Sequence, residues 1–361
     1  MATPLVGSVL ADPIAVPGTD GRVHMAYEVQ LTNVLDQEVT LSSLGVLDRD
    51  VSLLELKGEQ LADQTRILGT NTPTTKIGPA QTAVVWMDAT LDKDAAVPER
   101  LVHSIGLSLP QPKPPLFPAT MTIDIAPATV EKRKPVVISP PLSGPDWLNG
   151  DGCCDTSAHR LALNPIDGQL WAAERYAIDY VQLQPDGRLF SGDQAKLESY
   201  PYFGADIRAV SDGPVVAAVD GLPEQVPGKG PTGLPLDQYA GNHIIQDLGD
   251  GNYAMYAHIK TGAVKVKVGD RLTTGQVIGS VGNTGNSDAP HLHFQVMSTP
   301  DPLRSNGLPF VFGEFRLDSR LSESADDLLS GGPGPMQPGF TARDEKDVMP
   351  MELDVMTYAD S

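Results

Sequence analysis

The sequence predicts an all-β protein of two domains followed by a tail. Gly and Pro are abundant, at 35 and 32 of 361 residues, so turns are frequent. No long run rich in Ala, Leu, Glu and Lys carries a helical period, which excludes a helix bundle or coiled coil. Short stretches instead alternate apolar with polar residues between turn signals, the pattern of half-buried strands. A 40% apolar and 20% charged composition can fill packed cores and argues against global disorder.

Residues 1–138 are expected to form an immunoglobulin-like β-sandwich. Val23-His-Met-Ala-Tyr-Glu-Val-Gln-Leu is a first clear strand, and Asn33 and Asp36 mark the turn after it. Val39-Thr-Leu-Ser-Ser-Leu-Gly-Val-Leu, Ala83-Val-Val-Trp-Met-Asp-Ala-Thr-Leu and Leu101-Val-His-Ser-Ile-Gly-Leu-Ser-Leu continue the pattern. Met121-Thr-Ile-Asp-Ile-Ala returns to this domain after a proline-rich stretch at 109–118. His24 and His103 stand alone in strand patterns and read as packed or surface histidines.

Ser139-Pro-Pro-Leu-Ser-Gly-Pro supplies a linker over 139–146. A second, antiparallel β-sheet domain is expected over 147–315. Residues 316–361 form an acidic, Gly/Pro-rich tail. Within it, Val348-Met-Pro-Met-Glu-Leu-Asp-Val-Met-Thr-Tyr regains alternation and reads as a returning strand.

A net charge of −20 repels phosphate backbones and disfavours nucleic acid as a partner. No apolar run is long enough to cross a bilayer. The N-terminus shows no basic segment followed by an apolar core, which leaves a cytosolic chain or an exported one without its leader. The oligomeric state is not legible.

Five of the seven histidines, His159, His243, His258, His291 and His293, lie in the second domain. In Pro290-His-Leu-His-Phe-Gln-Val, strand alternation puts His291 and His293 on one face and Leu292 and Phe294 on the other. Alone, such a pair reads rather as two stacked surface histidines. Asp179, in Ala177-Ile-Asp-Tyr-Val-Gln-Leu, is a carboxylate among apolar neighbours, costly without a cation. His258 ends a third strand pattern, Tyr253-Ala-Met-Tyr-Ala-His. Two histidines and an aspartate suit a divalent ion, zinc by ligand type.

Val268-Gly-Asp-Arg-Leu-Thr-Thr-Gly-Gln-Val-Ile-Gly-Ser-Val-Gly-Asn-Thr-Gly-Asn-Ser, followed by His291-Leu-His-Phe, closely resembles the M23 metallopeptidases of the lysostaphin or LytM-like type. Tyr256-Ala-His258, Val210-Ser-Asp-Gly-Pro-Val-Val-Ala-Ala and Ala177-Ile-Asp179 resemble further motifs of that family, in its order. The resemblance covers roughly residues 155–300. It implies a zinc-dependent endopeptidase acting on the peptides of bacterial peptidoglycan, in an extracellular or periplasmic setting. Asp179 and His293 match its metal ligands. His258 and His291 match its catalytic histidines. His243 matches no motif and reads as structural.

One departure stands out. The family carries a ligating histidine four positions before the aspartate, and Arg175 stands there. Arginine stays protonated and cannot ligate zinc. His159 is the expected substitute. Arg160 beside it resembles an arginine on a strand next to the Asp strand, with a hairpin turn expected in Asn164-Pro-Ile-Asp-Gly. Cys153 and Cys154 are open between zinc ligation, a vicinal disulfide and buried thiols. Arg175 also sustains a rival reading, a degenerate fold that binds without hydrolysing. A third, an adhesion role for the first domain, has no polar constellation behind it. The insert from Gln182 to Ala205 and the one around Gly221 are long enough to act as lids.

Overall fold

The computed structural model describes residues 2–323 and 326–359. Strands dominate, and the three α-helices among the described residues are only four to six residues long. The chain divides into two compact units. One is Met1–Pro135 with Cys154–Leu161; the other is Val136–Cys153 with Ala162–Ser361.

The first unit contains two antiparallel sheets. One runs Leu5–Val9, Arg22–Asn33, Thr82–Asp92, Thr65–Ile67, with Val16–Pro17 beside Arg22–Asn33. The other runs Thr120–Thr129, Arg100–Ser108, Val39–Asp48, Val51–Lys57, with Lys76–Ile77 on Val39–Asp48. A single core lies between them. Met25, Tyr27, Val29 and Leu31 enter from one side and Leu44, Val46, Ile105 and Leu107 from the other. At roughly 1.5–3 kcal/mol per buried large apolar side chain, this core holds the unit together.

The opposite face of strand Arg22–Asn33 is also covered, which alternation alone does not foresee. Glu28 is fully buried there. Its charge is met by Arg160 of the segment Cys154–Leu161, whose Nη1 lies 2.7 Å from Glu28 Oε1 and whose Nη2 donates to Met87 O at 3.0 Å. Arg160 sits on the helix Ala158–Leu161, where Ser157 Oγ accepts from the Arg160 N–H at 3.3 Å as an N-cap.

The second unit is organised by one large sheet. Its order is Arg271–Leu272, Gly213–Val219, His243–Gly249, Asn252–Ala257, Leu292–Met297, Ile178–Gln182, Gly144–Gly150, Asp354–Tyr358, Phe315–Arg320, Arg343–Glu345. The alternating segment near the C-terminus is thus a strand inside this sheet, between Gly144–Gly150 and Phe315–Arg320. An aromatic cluster backs the sheet. Phe294 meets Phe310 edge-on, Phe310 and Phe312 pack together, and Tyr358 contacts Phe312, Phe315 and Tyr180. Each such pair contributes about 0.5–1.5 kcal/mol beyond area burial.

Two sequence expectations are settled here. The turn predicted in Asn164-Pro-Ile-Asp-Gly closes a hairpin of Asn164–Ile166 and Gln169–Trp171, with Asp167 and Gly168 both at positive φ. His159, expected on a strand beside the Asp179 strand, is instead helical. The neighbours of Ile178–Gln182 are Gly144–Gly150 and Leu292–Met297. Ser157 caps a short helix at this point, and Arg160 is drawn to the buried Glu28, so no strand forms.

Candidate active site

Three adjacent strands of the large sheet carry Asp179 and His293 and adjoin His258 and His291. Asp179 stands directly opposite His293 in register, and Ala257 stands opposite His293 on its other side. Leu292 and Phe294 point away and are fully buried, as the alternation requires. Ile178 and Tyr180 do the same around Asp179, so the carboxylate sits on the histidine face.

His258 follows the strand Asn252–Ala257. Ala257 already shares a face with His293, so one more extended residue would point to the other side of the sheet. His258 has φ +60° instead. A non-glycine residue in the left-handed region costs roughly 1–2 kcal/mol. The turn brings its ring onto the site face, 4.7 Å from the His291 ring and 5.7 Å from that of His293. Nitrogens of His258, His291 and His293 lie within 4.8 Å of one another.

Backbone carbonyls orient two of the rings. His258 Nδ1–H donates to Thr284 O at 2.7 Å, and His291 Nδ1–H donates to Ala289 O at 2.7 Å. In each ring Nε2 is left for the site, and His291 Nε2 lies 3.4 Å from Asp179 Oδ2. Burial, then the neighbouring His291 and His293, push His258 well below the ordinary imidazole pKa. It is therefore neutral near pH 7, with an Nε2 lone pair.

The segment carrying Thr284 is itself clamped. Asn242 N donates to Thr284 Oγ1, and Asn242 Nδ2 donates to Leu222 O and Ile259 O. Glu224 accepts from Thr261 N and Asn283 N, both at 2.7 Å. The insert around Gly221 thus braces the loops that aim His258. Gly241, at φ +61°, lies where a Cβ would collide with Thr284 O. Tyr256 works from the opposite face, donating to Gln246 Oε1 and accepting from Val210 N.

His293 is held at both nitrogens. Nε2 lies 2.8 Å from Gln295 Oε1, and Nδ1 lies 2.9 Å from Asp179 Oδ1. In the tautomer whose Nε2–H donates to Gln295 Oε1, Nδ1 carries a lone pair and faces a carboxylate oxygen. Two acceptors at that distance need a cation or proton between them. A carboxylate and an imidazole facing each other in this way, with buried imidazoles beside them, fit a bound divalent metal ion.

Arg175 is buried and donates to Gly307 O at 3.3 Å. A Cβ on Gly307 would collide with Ala173 O and Arg175 N, so the close approach needs glycine. His243 donates to Gly241 O at 2.8 Å and is not among the converging groups of the described residues. His159 is buried on its helix in the segment Cys154–Leu161. Cys153 and Cys154 are disulfide-bonded, the vicinal alternative of the three left open, and offer no thiolate.

Sequence reasoning missed Gln295, Thr284, Asn242 and Glu224. Gln295 had a signal, since it lies two residues past His293 and so shares its face. Thr284 acts through its carbonyl, which no side-chain motif reveals.

Fold and site together define a β-sheet domain carrying an imidazole–carboxylate centre suited to metal-assisted chemistry. Residues 200–305 match the model of Peptidase family M23, and this segment is an M23 peptidase domain. Glycyl-glycine endopeptidase ALE-1 of Staphylococcus capitis is 37% identical over 108 residues, 30% of this chain and 25% of that protein. Lysostaphin of Staphylococcus simulans is 42% identical over 74 residues, 20% of this chain and 15% of its own. Peptidoglycan DD-endopeptidase ShyA of Vibrio cholerae is 34% identical over 67 residues, 19% of this chain and 15% of its own. The chain thus spans a quarter or less of the length of these relatives. Among solved structures, the catalytic domain of lysostaphin from Staphylococcus simulans is 26% identical, covers 45% of this chain and 88% of that chain, and has a TM-score of 0.25. No helix among the described residues is long and apolar enough to cross a membrane.

Proposed function

We propose that the protein is a zinc-dependent endopeptidase that cleaves peptides of bacterial peptidoglycan outside the cytoplasm, extracellularly or in the periplasm. The observation that carries this reading is the convergence of Asp179 Oδ1 on His293 Nδ1 at 2.9 Å, beside the two buried rings of His258 and His291. Asp179 and His293 are two of the ligands. The third is His159, because Arg175 cannot ligate and catalytic zinc sites ordinarily have three protein donors. When bound, zinc polarises the scissile carbonyl and lowers the pKa of its water towards ~7.

The residues of the chain divide the remaining work. Gln295 fixes the His293 tautomer so that Nδ1 faces the metal side. Neutral His258, anchored through Nδ1–H, presents Nε2 to take the proton of the attacking water. His291, anchored in the same way, presents Nε2 to the tetrahedral oxyanion, to which it donates when protonated. Peptidoglycan as substrate rests on the likeness to the peptidoglycan DD-endopeptidase ShyA. The strand order of the first unit supports an immunoglobulin-like sandwich appended to this machinery.

Metal analysis of the purified chain, with hydrolysis of peptidoglycan peptides before and after chelation, tests the proposal. Stoichiometric zinc and activity restored by zinc are expected. A chain that binds no zinc after reconstitution moves the reading to a binding module that does not hydrolyse.

A further inference from the structure

The first unit holds a side-chain cluster that peptide hydrolysis does not use. His24, on the strand Arg22–Asn33, has Nδ1 2.8 Å from Asp88 Oδ2 on the neighbouring strand Thr82–Asp92. Its Nε2 lies 3.1 Å from both carboxylate oxygens of Asp20. Cys154 belongs to the same unit, and its Sγ, a His24 ring nitrogen and an Asp88 oxygen lie within 4.8 Å of one another. His24 and Cys154 are buried. Asp88 Oδ1 is also buried and has no hydrogen-bond partner among the described residues. The chain has two cysteines, both disulfide-bonded, so the bond joins the neighbours Cys153 and Cys154.

We propose that reduction of the Cys153–Cys154 disulfide uncovers a second metal site, in which Cys154, His24 and Asp88 hold a divalent ion of the zinc class. In the oxidised protein, the Cys154 sulfur is tied to its neighbour, carries no charge and is a poor ligand. A dithiol reductant delivers two electrons and two protons. The S–S bond breaks, two S–H groups form, and the reductant leaves as its own disulfide. Cys154 then offers a thiolate beside an imidazole and a carboxylate.

That donor set selects zinc over magnesium or calcium, which take oxygen ligands. Donors around a tetrahedral zinc stand roughly 3.3–3.8 Å apart, so Cys154 must close by no more than about 1.5 Å while His24 Nδ1 and Asp88 Oδ2, at 2.8 Å, move slightly apart. On binding, Cys154 gives up its S–H proton and His24 the N–H on its ligating side. The thiolate and the Asp88 carboxylate balance the two positive charges, so the buried site is neutral. Coordination also offers a partner to the carboxylate whose Oδ1 is unbonded. Asp20 supports the ring from outside the coordination shell, the usual arrangement for a metal-bound histidine. Occupancy of this site would follow the redox state of the chain.

Cobalt(II) tests the proposal on the full chain. A thiolate bound to cobalt(II) gives intense near-ultraviolet charge-transfer absorption; imidazole and carboxylate ligands do not. The band is therefore blind to the candidate active site, which has no thiol. The protein is reduced with a dithiol, desalted under argon and titrated with cobalt(II). The band should appear with one extra equivalent bound, be absent from the oxidised protein, and be absent from reduced Cys154→Ser. His24→Gln and Asp88→Asn should each weaken cobalt binding at least tenfold. Cys153→Ser, whose Cys154 cannot form the disulfide, should give the band without reductant. No band in the reduced wild type or in Cys153→Ser overturns the proposal. A band that persists in Cys154→Ser, or unchanged affinity in His24→Gln, overturns it equally.

Discussion

His258 and His291 are each fixed by one donated hydrogen bond to a carbonyl, and this makes their roles separable from metal binding. Replacing either with Ala is expected to lower kcat on a peptidoglycan peptide by ~100-fold or more while zinc content stays near wild type. Loss of zinc in His291→Ala would instead make His291 a ligand. Gln295 should behave in the opposite way. Gln295→Leu removes the acceptor for His293 Nε2–H, and zinc affinity measured by chelator competition should fall roughly 10–100-fold. His159→Ala should release zinc outright if it supplies the third donor.

His103 carries a separate residue-scale prediction in the first unit. Burial pushes its pKa below 6.5, and the carbonyls of Ala126 and Ile125 only partly offset this. The neutral ring donates from Nδ1 to Ala126 O and accepts from the Tyr27 hydroxyl at 2.8 Å. The unfolded chain binds the proton more readily, so the stabilising effect is full above pH 6.5 and lost as pH falls through the depressed folded value. Urea unfolding of wild type and His103→Asn should therefore show a steeper loss of stability below pH 6.5 in the wild type. Parallel slopes would contradict the assignment.

At the scale of elements, periodicity made the strands legible. His291 and His293 on one face, Leu292 and Phe294 on the other, follow from a repeat of two, and the register Asp179–His293 agrees with it. What alternation could not reveal was a break in it. His258 reaches the site through a left-handed residue, and no local signal in Tyr-Ala-His marks that turn. The helix Ala158–Leu161 was illegible for a related reason, because its stability depends on Glu28, distant in sequence. Gly307 gives the element-scale test. Gly307→Ala sets a Cβ against two backbone atoms that cannot rotate away, and a loss of about 1–3 kcal/mol in denaturant unfolding is expected.

For the whole molecule, the chain order of the units matters more than their number. Residues 147–315 expressed alone would lack the strand Asp354–Tyr358 and expose the edge of Gly144–Gly150. That fragment should aggregate or unfold without cooperativity, whereas residues 136–359 should give a single thermal transition by circular dichroism. From its prolines the sequence predicts a division near residue 138. It did not mark Cys154–Leu161 as belonging to the first unit, because the buried Arg160–Glu28 pair in that unit leaves no trace in composition. The Arg160–Glu28 pair has a consequence for ancestry. A gene fusion that appended residues 136–361 to another partner would carry Arg160 away from the sandwich, so Glu28 would lose both its guanidinium and the cover over its strand face. The two halves are therefore poor cassettes for shuffling, and substitutions at positions 28 and 160 should be inherited together.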